Sequence, residues 1–77
     1  MVDKIFIKFA SISDVKSFVD IVSKCSFDID LISGRYVIDA KSIMGIFSLD
    51  LSKQIQIVPH TDDPEPLKKS ISNFLVK

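Results

Sequence analysis

Three stretches of this chain alternate apolar and polar residues, and elsewhere the apolar spacing changes to that of a helix. In "KIFIKF", Ile5, Ile7 and Phe9 fall on one side and Lys4 and Lys8 on the other, with Phe6 interrupting the polar side. From Val15 the period lengthens: Val15, Phe18, Val19 and Val22 share a helical face, widened by Ile21 and Cys25. Ser11, three residues before Asp14, resembles a capping pair, and Ser13 is an equally good cap. Phe27, Ile29 and Leu31 return to period two, with Asp28 and Asp30 opposite. Ser33-Gly34 is expected to supply a hairpin turn, and Tyr36 to Asp39 the returning strand.

Ser42 is expected to cap a short second helix whose Ile46 and Leu49 face inward. "QIQIV" points Ile55 and Ile57 inward. Asp63 as cap, Pro64 in the first helical position and Pro66 in the first turn would open a closing helix, striped by Leu67, Ile71, Phe74 and Leu75. The order is βαββαβα. The expected class is α+β: a four-stranded antiparallel sheet covered on one face by three helices, with residues 1–77 as one domain.

A chain of 77 residues buries only about 60% of its unfolded surface, so its core must be efficient, and an apolar content of 47% suffices for that. Ten basic and ten acidic residues cancel, which gives no electrostatic case for nucleic acid or an anionic membrane as partner. Cys25 is the only cysteine, which excludes an internal disulfide and a Cys-rich metal site, and its apolar setting reads as a buried structural thiol. No apolar run approaches the roughly 20 residues of a membrane span. With no signal peptide evident, the expected location is the cytoplasm. No nucleophile–base pair, glycine-rich phosphate loop or carboxylate motif points to autonomous catalysis, and no cofactor is called for.

The words "DAKSIMGIFSLD" resemble the HPr family, the small phosphocarriers of the bacterial sugar phosphotransferase system. The family's second helix opens on Lys-Ser-Ile-Met-Gly just after a hairpin strand, and Lys41, Ser42, Ile43, Met44 and Gly45 match that run in full, with Leu49 also in pattern. The element order extends the resemblance over nearly the whole chain and implies an HPr-like open-faced sandwich. It further implies that Ser42 is a phosphorylation site for an ATP-dependent HPr serine kinase. Ile43, Met44 and Phe47 would form a docking surface for enzyme I, permease domains or a catabolite-control repressor. Ile46 and Leu49 already supply an inward face, which leaves Met44 and Phe47 for the exposed side, with Ile43 included through its place beside Ser42.

The resemblance fails at the first helix. HPr phosphocarriers carry Gly-x-His-Ala-Arg-Pro there; here Ser11 stands at the histidine position, Ser13 at the arginine position and Asp14 at the proline position, and a shift of one or two residues finds neither histidine nor arginine. A phosphoserine ester lacks the transfer potential of a phosphoramidate, so Ser11 cannot replace the histidine, and Asp14 without a nearby cation would repel phosphate. His60, the only histidine, lies after the last strand and reads as a surface loop residue; Asp62 and Asp63 beside it do not make a metal site. The expected function is therefore regulation through serine phosphorylation and docking. A carrier with an unusual acceptor, His60 or Asp14, and a docking module that ignores phosphorylation are the alternatives.

Overall fold

A computed structural model describes residues 4–76 and contains β1 (Ile5–Ile7), α1 (Ile12–Ser23), β2 (Ile29–Ser33), β3 (Tyr36–Asp39), α2 (Ile43–Phe47), β4 (Ile55–Pro59) and α3 (Glu65–Ser70). The strands form one antiparallel sheet in the order β1-β4-β2-β3. The register aligns apolar residues across it: Ile5 and Leu31 both pair with Ile57, and Ile7 pairs with Ile55. Paired residues share a face, so Ile7, Ile29, Leu31, Ile55 and Ile57 make one buried layer. The opposite face carries Phe6, Asp30, Ile32, Val37, Gln56 and Val58, none of them buried.

The helices complete the core on the buried side. Val15, Phe18 and Val22 of α1, Ile46 of α2 and Leu67 of α3 join the strand residues in one cluster. Within it Phe9, Phe18 and Phe74 meet edge to face, with ring centroids 5.3, 5.9 and 5.9 Å apart. Each such contact contributes about 0.5–1.5 kcal/mol beyond the area it buries.

Three boundaries differ from expectation. The hairpin turn is Gly34-Arg35, because Ser33 pairs with Tyr36 as the last residue of β2. Gly34 has φ +60° and Arg35 a negative φ, the pattern of a two-residue turn that takes glycine first. Helix α2 stops at Phe47, so Leu49 is buried just beyond the helix. Helix α3 starts after Pro64, while Asp63 Oδ1 accepts from Glu65 N at 3.3 Å, and it ends at Ser70.

The expected stripe through Phe74 and Leu75 is a set of turns instead, and the reason is a sheet edge. Lys8 N donates to Phe74 O and Val76 N to Phe6 O, both at 2.9 Å, and Leu75 bridges Ile7. A longer helix would leave those β1 groups unpaired.

Replacing Phe18, fully buried in the aromatic triad, by alanine is expected to cost about 3–5 kcal/mol. That is comparable with the whole stability of a core this small, roughly 3–5 kcal/mol. Urea titration followed by circular dichroism should lose its cooperative transition; an unmoved midpoint would show that the triad does not hold the core.

Candidate functional site

The segment from Asp39 to Ser42 positions the start of α2. Ala40 is fully buried and its N–H donates to Ile29 O at 2.9 Å, which locks the end of the hairpin to the sheet. Asp39 closes the next turn twice: Oδ1 accepts from Lys41 N at 2.9 Å and the backbone oxygen accepts from Ser42 N at 3.0 Å. Lys41 reaches the other way, its Nζ donating to Cys25 O at 3.0 Å, which ties this turn to the chain just past the end of α1.

Ser42 then caps the helix from an extended backbone (φ −97°, ψ 102°), its Oγ accepting from Gly45 N at 3.2 Å. A Cβ at position 45 would sit 3.3 Å from that Oγ and 3.5 Å from Ile38 Cδ1, so glycine lets the cap and the strand below close together.

The side chains of α2 divide as its shortness requires. Five residues give little more than one turn, which is unstable alone and is held by what it buries. Ile46 is fully buried, and Ile43 is half-buried against the core. Met44 is 76% exposed and Phe47 38%. The three expected docking residues therefore contribute unequally: Met44 offers most of its side chain, Phe47 an edge, and Ile43 only a part.

At the start of α1, Ser11 is the cap and Ser13 is not. Ser11 Oγ accepts from Asp14 N at 3.3 Å, and Asp14 Oδ2 accepts from Ala10 N at 2.8 Å. The Asp14 N–H is thus taken by Ser11, and the Asp14 carboxylate, turned back to Ala10 N, stands where a phosphate would need positive charge. Ile12, which the spacing did not single out, is 64% exposed and borders a shallow hollow shared with Phe9, Ser11, Leu51 and Ser52. A large exposed apolar residue one place after a cap carries no periodic signal.

His60 lies at the other end of β4 from Ile55, whose partner Ile7 leads into α1, so the chain's histidine is remote from the α1 start. Its backbone N–H donates to Asp28 O at 2.8 Å, and its ring Nε2 is 2.8 Å from Asp30 Oδ2, with both side chains exposed. This pair joins residues thirty positions apart and could be foreseen only from the β2–β4 register. Cys25 is half-buried, with Sγ 4.0 Å from Ile21 O. Among the described residues no three His, Cys, Asp or Glu side chains group so as to hold a metal ion, and no helix is long and apolar enough to cross a membrane.

The loop after α2 is held by Asp50, whose Oδ1 accepts from Ser52 Oγ at 2.6 Å and Ser52 N at 3.1 Å. The Ser52 hydroxyl first, then its N–H, and least the nearby Lys53 hold the Asp50 carboxyl below the usual carboxylate range, against a small opposing effect of desolvation.

Comparison with known protein families, curated proteins and solved structures finds no match to this chain.

Ser42→Ala is expected to lose about 1 kcal/mol of stability through the missing cap, whereas Ser42→Asp, which restores an acceptor, should stay close to the parent. Equal melting of all three proteins would remove the capping role. The Asp50 contacts stabilise the loop above the unfolded pKa and are lost as pH falls through the lower folded one. An NMR titration should therefore place Asp50 below an aspartate in an unstructured peptide, and Ser52→Ala should raise it; an unchanged midpoint in that variant would reject Ser52 as the cause.

Proposed function

We propose that this chain is a regulatory docking module of HPr-like architecture, acting in the cytoplasm, in which Ser42 receives phosphate and Met44, with Phe47 and part of Ile43, meets the partner. The observation that carries this reading is the pairing of an exposed serine hydroxyl at a helix start with a methionine two residues later that is 76% exposed. The Lys41–Gly45 run, set between a hairpin strand and a short helix, and the βαββαβα order support the same assignment.

The chemistry is a transfer from ATP. Ser42 Oγ forms a bond to the γ-phosphorus, its proton leaves, and ADP departs. The product is a stable ester suited to signalling and not to onward transfer. Its oxygens can take over the Gly45 N–H now held by Oγ, so modification is compatible with the helix. The same dianion sits beside Met44. It favours a partner that offers arginine, as a catabolite-control repressor would under this reading, and disfavours one with an acidic rim, such as a phosphotransfer partner. In this role the chain is a phosphoacceptor and ligand, not an autonomous catalyst.

Docking without phosphorylation is the second reading, and the exposure of Met44 favours it equally. An unusual carrier is the weaker one, since Ser11 and Asp14 serve as caps and His60 faces Asp30 at the far end of the sheet.

Incubation with ATP and an HPr serine kinase, followed by site-mapped intact mass, is expected to find one phosphate on Ser42 and none in Ser42→Ala. An unlabelled chain beside a labelled authentic HPr, or undiminished labelling of the variant, would overturn the phosphosite.

A further inference from the structure

The two edges of the sheet are treated differently. The β1 edge is covered by residues 74–76 through Lys8 N to Phe74 O and Val76 N to Phe6 O. The β3 edge has no such cover among the described residues, and it carries no lysine, proline or bulge of the kind that discourages strand pairing. Tyr36 and Val37 on it are 69% and 62% exposed.

Which backbone groups point outward follows from one bond. Ala40 N donates to Ile29 O, so Ile29 and Ala40 form a hydrogen-bonded pair. Such pairs alternate along an antiparallel ladder, which makes Leu31–Ile38 and Ser33–Tyr36 bonded pairs as well. The N–H and C=O of Val37 and the N–H of Asp39 therefore face away from β2 and meet no protein group among the described residues.

β3 with the turn residue before it, Arg35-Tyr36-Val37-Ile38-Asp39, is complementary to itself when reversed. We propose that β3 pairs antiparallel with β3 of a second copy about Val37, joining two four-stranded sheets into one of eight strands. Val37 then faces Val37 of the second copy, and the two exchange both backbone hydrogen bonds. Tyr36 lies opposite Ile38, an aromatic against a β-branched residue on the helix-bearing side. Arg35, the turn residue just before β3, comes beside Asp39 of the other copy twice, once on each side of the two-fold axis, within reach of its long side chain. Neither residue forms an ion pair among the described residues, and Asp39 uses only Oδ1 internally, to Lys41 N.

The register is selective. Pairing about Ile38 would place Arg35 against Lys41 and Val37 against Asp39, which exchanges two attractive pairs for two repulsive ones. A one-residue slip would turn every side chain to the wrong face. A formal net charge of zero removes long-range repulsion between copies. The axis runs perpendicular to the sheet, so both copies keep their helices on the same side and present their α2 surfaces together. The contact is small, below about 1,200 Å², and belongs with transient interfaces.

Sedimentation of the full chain from about 10 μM to about 1 mM is expected to show the average mass rising from monomer towards dimer. Val37→Pro removes a donor that serves no bond within the chain, so it should keep the parent circular dichroism and weaken dimerisation at least about tenfold. Arg35→Asp and Asp39→Lys should each sediment as monomers, and mixing them should restore dimer, because both cross-pairs are then of opposite charge. If Val37→Pro fails to fold, the charge variants decide. A parent that stays monomeric throughout would overturn the proposal. So would a dimer indifferent to these variants, which would put the contact on the open sheet face or on Met44 and Phe47.

Discussion

Everything in this molecule depends on burial being confined to one side of a four-stranded sheet. The register that sets Ile5, Ile7, Leu31, Ile55 and Ile57 side by side creates a single apolar layer, and all three helices exist to cover it. A chain of this size has no second core to draw on. Each helix is therefore only as long as its contribution to that layer requires. The contrast between the twelve residues of α1 and the five of α2 follows from what each buries.

That constraint explains the exposed Met44. Helix α2 is anchored by Ile46 within it and Leu49 just after it, and Gly45 allows it to settle against Ile38. With one side so committed, Met44 must project outward. Ser42 is held in place by the turn that Asp39 closes and Ala40 pins to the sheet. Cap and exposed side chain thus have structural causes, and those same causes produce a hydroxyl beside an apolar surface. A phosphate at that position would add charge next to the exposed Met44 side chain without asking the helix to unfold.

Much of this was legible from side-chain spacing. Period two in "KIFIKF" and "QIQIV", and the Val15, Phe18, Val22 stripe, identify the elements because each buries one face only. The Ser42 cap and the inward Ile46 follow from the same logic. Phe74 and Leu75 continue a helical spacing and so extend the closing helix on paper, while the demand of the β1 edge for partners is a tertiary matter that no local pattern contains. Ser33-Gly34 against Gly34-Arg35 is a shift of one residue that only the strand register decides. At the candidate site, the spacing correctly set Met44 outside but could not grade Phe47 and Ile43, whose exposure depends on how the short helix tilts against β3 and α1. The His60–Asp30 pair was invisible for the same reason as the edge pairing: its members meet only across strands.

The central claim is that the start of α2 can carry a phosphate on Ser42, bonded to Gly45 N, and remain a helix. Amide NMR of the chain made with phosphoserine at position 42, by ligation and so independent of any kinase, tests it directly. The account predicts a downfield Gly45 amide whose shift follows the second phosphate ionisation near pH ~6, with helical shifts kept from Ile43 to Phe47. A Gly45 amide that ignores the phosphate, or loss of helical shifts across α2, would contradict it.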